Sequence, residues 1–145
     1  QPRPDNRTGR WGTVARILIC EDDDLYRQIA ETAFAATGHE VVFLDDGMSV
    51  SRQLKDSSFD LLVTDIVMPG KDGLEVIKEL REAGFDLPIL VMSGGIATLR
   101  TPILAAASAL GADEVITKPF RPQALREQAE GLLKRAAART VGKTA

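Results

Sequence analysis

Residues 60–77 read DLLVTDIVMPGKDGLEVI. An apolar run stops on a lone carboxylate, Asp65, and the turn residues Met68, Pro69 and Gly70 follow. Asp72 then stands one position ahead of a segment, 73–83, in which Leu74, Ile77, Leu80 and Arg81 share a face at helical spacing. A buried strand that passes through a Pro-Gly turn into a capped helix is one βα unit.

The same alternation extends in both directions. Short β-rich apolar runs occur at 14–20 (VARILIC), 41–44 (VVFL), 60–64, 88–93 (PILVMS) and 114–117 (EVIT). Helical spacing fills the gaps. At 24–37 it places Leu25, Ile29, Ala33 and Ala36 on one face, and at 47–56 Met48, Val50, Ser51 and Leu54. Further helices are expected at 73–83, 102–110 and 122–138. Asp46 or Gly47, Thr101 followed by Pro102, and Pro122 mark helix starts, while Gly38, Gly84 and Gly111 fit left-handed C-terminal caps. Five strands alternating with five helices predict an α/β fold. The expected form is a doubly wound, five-stranded parallel sheet in the order 2-1-3-4-5, flavodoxin-like in type. The domain is expected over 14–138, with a disordered arm at 1–13 that includes Trp11 and a flexible tail at 139–145.

The chain has 145 residues, enough for one domain with a core that needs no staples. A net charge of −3 argues against direct nucleic-acid binding through a basic surface. One cysteine excludes an internal disulfide, and one cysteine with one histidine make a zinc site implausible. Cys20, inside an apolar run, reads as a buried, inert thiol. No apolar run approaches the roughly 18 residues of a membrane span and no signal peptide is recognisable, so the expected location is cytoplasmic, with no membrane partner. His39 reads as a surface turn residue, and Glu79, Arg81 and Glu82 as a solvated helix face.

In open α/β sheets the working site lies beyond the carboxyl ends of the strands. Strand one ends in "CEDDD" and delivers Glu21, Asp22 and Asp23, strand three Asp65, strand four Ser93 and strand five Lys118. Strands one, three, four and five are neighbours in the expected order, so these groups converge. Crowded carboxylates need a cation, and hard oxygen ligands suit Mg²⁺. Asp23 and Asp24 are placed to cap helix one, with Asp24 assigned that role, which leaves Glu21 and Asp22 for the metal. Asp65 reads as a nucleophile toward phosphorus, with a metal ligand or a turn residue as the alternatives. Ser93 would donate to a phosphoryl oxygen, Gly94 and Gly95 would let the backbone approach it, and Lys118 would pair with Asp65 and then with the phosphate. Lys118–Pro119 is a candidate cis peptide.

These residues carry a resemblance. "ILICEDD", "DLLVTDIVMPGKDGLEVI", "PILVMSGG" and "VITKPF", in this order over residues 14–136, resemble the receiver domain of two-component response regulators, of the chemotaxis-regulator type. The resemblance implies that Asp65 takes phosphate from a histidine kinase or histidine phosphotransfer protein. It also implies that Asp22 binds Mg²⁺ directly and Glu21 through water, that the Val67 backbone carbonyl is a further ligand, and that Ser93 and Lys118 contact the phosphoryl group. The implied output is a switch of the face formed by helix four, strand five and helix five, read by a downstream protein or used for homodimerisation, without turnover of an external substrate.

Departures from the family pattern have consequences. Glu21 and Ser93 replace the commoner Asp and Thr. Val115 stands where an aromatic switch residue is common, which argues against coupling through a ring flip. The segment from Gly94 to Thr101 looks long and is expected to be mobile. Val67 places an apolar side chain beside the water path and predicts slow self-hydrolysis. A stand-alone regulator is favoured over the receiver half of a DNA-binding regulator or hybrid kinase. An aspartyl-nucleophile phosphohydrolase is the rival of another class, disfavoured because Val67 occupies the place of its second acid and no cap is present. No Gly-rich phosphate loop follows strand one, which disfavours a nucleotide-binding fold.

Overall fold

The five apolar runs are the strands. The computed structural model describes residues 14–94 and 101–144; the expected arm at 1–13 and most of the segment expected to be a long loop lie outside them. Strands β1 (Arg16–Cys20), β2 (Glu40–Leu44), β3 (Leu61–Asp65), β4 (Ile89–Ser93) and β5 (Glu114–Thr117) pair in parallel in the order β2-β1-β3-β4-β5. Five α-helices are present among the described residues: α1 (Asp24–Phe34), α2 (Val50–Asp56), α3 (Gly73–Glu82), α4 (Thr101–Leu110) and α5 (Pro122–Thr144). A 3₁₀ turn, Gly47–Ser49, leads into α2.

The sheet is buried on both faces because side chains alternate along each strand. Ile17, Ile19, Val63 and Met92 face one layer with Ala30, Ala33 and Phe34 of α1 and Leu125, Ala129 and Leu132 of α5. Leu18, Cys20, Leu62 and Val91 face the other, with Val50 and Leu54 of α2, Val76, Ile77 and Leu80 of α3 and Ala107 of α4. The order and the two layers are those read from the strand and helix periods.

Local expectations differ at several points. The buried stripe of α1 is Ala30, Ala33 and Phe34, not Leu25–Ile29–Ala33–Ala36; Leu25 is 57% exposed. Both stripes satisfy helical spacing, and the one carrying the bulky Phe34 takes the core. α1 ends at Phe34, where the Thr37 hydroxyl donates to the Phe34 carbonyl at 2.8 Å. Its N-cap is Asp23, which accepts from the Leu25 N–H at 2.8 Å, so Asp24 falls in the first turn. Met48 is 64% exposed because it lies in the 3₁₀ turn, whose tighter pitch rotates it away from Val50 and Leu54. Asp46 caps that turn and Asp72 caps α3, as expected. Helix α5 continues through 139–144, because the Ala- and Arg-rich sequence after Leu133 holds no breaker before Gly142.

Two polar side chains are pins rather than surface decoration. His39 has only 4% of its side chain exposed. Its Nδ1 accepts from the Ala15 N–H at 2.9 Å, so Nε2 carries the proton toward Glu130 of α5 at 3.1 Å. Arg81 donates to the carbonyls of Phe85, Leu87 and Gly111 and to Asp113, at 2.8–3.2 Å. It ties the end of α3 to the start of β4 and to the α4–β5 turn. Helical spacing cannot reveal this, because the carbonyls come from chain turns 30 residues away as well as from its own. Arg81→Ala strands several carbonyls and is expected to cost about 2–3 kcal/mol, read as a lower urea midpoint; a loss under ~0.5 kcal/mol, as at an ordinary surface site, contradicts the pinning role.

Candidate functional site

Parallel strands bring their carboxyl ends to one edge, and four polar side chains meet there. β1 ends at Cys20, and the next residue, Glu21, is fully buried, its N–H bonded to the Leu44 carbonyl. Glu21 Oε2 accepts from the Asp23 N–H at 2.9 Å and Oε1 from Lys118 Nζ at 2.9 Å. At the end of β3, Asp65 Oδ2 accepts from the same ammonium at 2.8 Å. Asp65 Oδ1 has a long 3.4 Å contact with the Val67 N–H. Asp22 is exposed, and Glu21, Asp22 and Asp65 each offer an oxygen within 4.8 Å of the others.

The backbone is fitted closely around Asp65. The Gly73 N–H donates to the Ile66 carbonyl at 2.6 Å, and a Cβ on Gly73 would fall 2.3 Å from the Asp65 carbonyl oxygen. Only glycine lets α3 start so near the backbone at the end of β3. Gly94 has the same relation to the lysine, since a Cβ there would meet Lys118 Cδ at 2.7 Å. The Lys118 N–H donates to the Ser93 carbonyl at 2.7 Å, and the Lys118–Pro119 peptide is cis. An open pocket of about 340 Å³ results, lined by Asp23, Tyr26, Asp65, Val67, Gly94, Lys118 and Pro119. A larger groove of about 480 Å³ at the opposite end of the sheet is lined by His39, Glu130, Asp60 and Asp86.

Electrostatics fit a cation site. Three carboxylates against one ammonium leave two negative charges if all are ionised. Burial pushes the Glu21 carboxyl above its usual range, although hydrogen bonds from Lys118 and from the Asp23 N–H oppose the shift. Burial acts to lower the Lys118 ammonium, but the hydrogen bonds and charges of Asp65 and Glu21 outweigh it and hold the group above its usual value. The Cys20 thiol is pushed up to about 12 by burial and then by the neighbouring carboxylates, which makes it inert.

Of the residues singled out from the sequence, Glu21, Asp22, Asp65 and Lys118 are brought together, Gly94 lies against the lysine, and Val67 stands on the rim, 65% exposed. Ser93 follows Met92, the register partner of Asp65, and its buried hydroxyl has no hydrogen-bond partner among the described residues. Two contributors escaped the sequence reading: the Asp23 N–H and the Tyr26 ring, whose centroid lies 4.2 Å from Lys118 Nζ. The signal for Tyr26 was its place four residues ahead of Ala30, on the stripe that α1 in fact buries.

Comparison with known proteins agrees with the geometry. A family profile described as the response regulator receiver domain matches residues 17–130. The chain belongs to this family. The response regulator receiver protein CpdR of Brucella abortus (strain 2308) is 35% identical over 120 residues, which cover 83% of this chain and 98% of CpdR. The transcriptional regulatory protein RprY of Bacteroides fragilis (strain YCH46) is 33% identical over 120 residues, 83% of this chain but 50% of RprY. Among solved structures, the receiver domain of the Francisella response regulator 1452 superimposes with a TM-score of 0.77 at 27% identity, over 84% of this chain and 98% of that one. This receiver therefore spans half the length of one curated relative and nearly all of another.

The raised Glu21 carboxyl sets a pH dependence. Its contribution to stability is complete below the unfolded value of 4.5 and is lost as pH rises through the higher folded value. With a chelator present, Glu21→Gln is expected to flatten the decline of urea stability between about pH 4.5 and neutrality. An unchanged slope across that window contradicts the assignment.

Proposed function

We propose that this chain is a phosphoryl-accepting switch, with Asp65 as the acceptor and a phosphohistidine of a histidine kinase or phosphotransfer protein as the donor. The observation that carries the reading is the Asp65 carboxylate. Lys118 holds one of its oxygens at 2.8 Å, the other has a single long contact, and the residue lines the open pocket. That Oδ1 attacks phosphorus, an O–P bond forms as the P–N bond breaks, and the electron pair leaves with the imidazole, which takes a proton from solvent. A divalent cation, Mg²⁺ by its preference for hard oxygens, would be held by Glu21, Asp22, Asp65 and the Val67 carbonyl, and would offset charge on the phosphoryl oxygens when bound. Lys118, already aimed at Asp65, pairs with the new phosphoryl group.

Ser93 supplies the switch. A buried hydroxyl without a partner costs roughly 1–3 kcal/mol. A phosphoryl oxygen beside it offers the missing acceptor, so phosphorylation favours the arrangement in which Ser93 and the following Gly94 draw inward. The response passes to the face of α4, β5 and α5, where a downstream protein or a second copy reads it. The domain turns over no external substrate in this reading. No helix among the described residues is long and apolar enough to cross a membrane, which is compatible with work in the cytoplasm.

Asp65→Asn is expected to abolish incorporation of labelled phosphate from acetyl phosphate with Mg²⁺, whereas the native chain retains the label and hydrolyses no generic phosphate ester. Label retained by the variant refutes the acceptor; sustained ester hydrolysis favours a phosphohydrolase. Ser93→Ala is expected to stabilise the unphosphorylated protein by about 1 kcal/mol in urea titrations. A loss of that size instead means that the hydroxyl was already satisfied.

A further inference from the structure

Lys118 has a third partner besides its two carboxylates. Its ammonium lies over the face of Tyr26, 4.2 Å from the ring centroid. The Tyr26 ring is itself braced by Phe120, with centroids 5.3 Å apart and planes inclined at 58°. Tyr26 also lines the pocket that holds Asp65. We propose that Tyr26 is a positioning residue for phosphoryl acceptance, its ring face fixing the Lys118 ammonium against the reacting carboxylate.

The argument is one of competition. Glu21 and Asp65 hold Lys118 through oxygens that the site has other uses for: both belong to the carboxylate trio that can hold a cation, and Asp65 is the acceptor. Whatever draws those oxygens away loosens their grip on the lysine. The ring quadrupole attracts the ammonium without offering a ligand atom to a hard cation or an acceptor to a phosphoryl group, so this contact persists through the reaction. It also forms one wall of the pocket, where the low polarity of an aromatic face strengthens the remaining charge contacts. The hydroxyl of Tyr26 has no part in this, so phenylalanine should serve equally and an aliphatic side chain should not.

This inference rests on the acceptor role of Asp65, and the tests keep the two apart. Tyr26 is the only tyrosine of the chain. In the full unphosphorylated chain, NMR should find the Lys118 ε-methylene protons shifted upfield by the ring current. The shift should persist in Tyr26→Phe and vanish in Tyr26→Leu. In labelling with acetyl phosphate, Tyr26→Phe should stay within about twofold of the native rate. Tyr26→Leu should lose roughly 3- to 30-fold, the range of a cation–π contact from exposed to desolvated. Native lysine methylene shifts at ordinary values overturn the proposal, whether or not any variant folds. A Tyr26→Leu protein that labels at the native rate also overturns it. A native chain that takes no label, yet shows the ring-current shift, removes the acceptor reading and leaves the lysine–ring contact standing.

Discussion

One ammonium organises the site. Lys118 Nζ lies 2.8 Å from Asp65 and 2.9 Å from Glu21, two carboxylates that would otherwise repel each other beneath the surface. Isolated ions of this kind are costly to bury, and removing one partner of such a set leaves an uncompensated charge. The cluster stands because three strands deliver its members and the neighbouring backbone leaves little freedom. Lys118 is held through its own N–H by Ser93, and Asp65 is enclosed by Gly73. The remaining negative charge, concentrated on Asp22 and its neighbours, is what a divalent cation would neutralise. The arrangement is therefore under electrostatic tension without a cation.

Much of this was legible in the chain. A strand that ends abruptly in a polar residue has a place in an open parallel sheet, at the edge where sites are built. Glu21, Asp22, Asp65 and Lys118 could be assigned by that rule because each stands at or just past the end of a short apolar, β-rich run. The sheet order followed from the alternation of strands and helices. What escaped depends on three-dimensional reach. Arg81 lies at a helical position compatible with solvent, and the Gly111 carbonyl it binds is far away in the sequence. His39 lies in a turn, and its partners Ala15 and Glu130 come from β1's approach and from α5. Two apolar stripes on α1 were equally good by spacing, and choosing the wrong one hid Tyr26. Helix α5 outran its expected end because a run of good helix formers continues until something stops it.

The polar pins also explain why such a site can be built on short elements. β5 has four residues and α2 seven. Arg81 fixes the α3 terminus against the α4–β5 turn, and Asp113 in that turn also accepts from the Ile89 N–H at 2.8 Å. His39 fixes the start of β1 against α5. The two pins lie at the end of the sheet opposite the carboxylates. The active edge can therefore hold an unpaired hydroxyl and crowded charge while the other end supplies stability, a division expected where function stores unfavourable local energy.

The route from the pocket to the surface follows from the same contacts. Ser93 and Lys118 belong to adjacent segments joined by a 2.7 Å backbone hydrogen bond, and Gly94 packs against the lysine stem. If Ser93 moves on phosphorylation as proposed, that hydrogen bond would carry the movement to the end of β5. Val115, in the middle of that strand, is half-buried in the layer that contains Ile103 and Leu110 of α4. A valine has one stiff side-chain torsion and no ring to swing between two positions. In the proposed switch, motion at the β5 end would then reach α4 as displacement of backbone and packed aliphatic groups rather than as the flip of one side chain. Close packing transmits such displacements over short distances, and α4, with no charged residue between Thr101 and Leu110, has no side-chain ion pair to hold it in place.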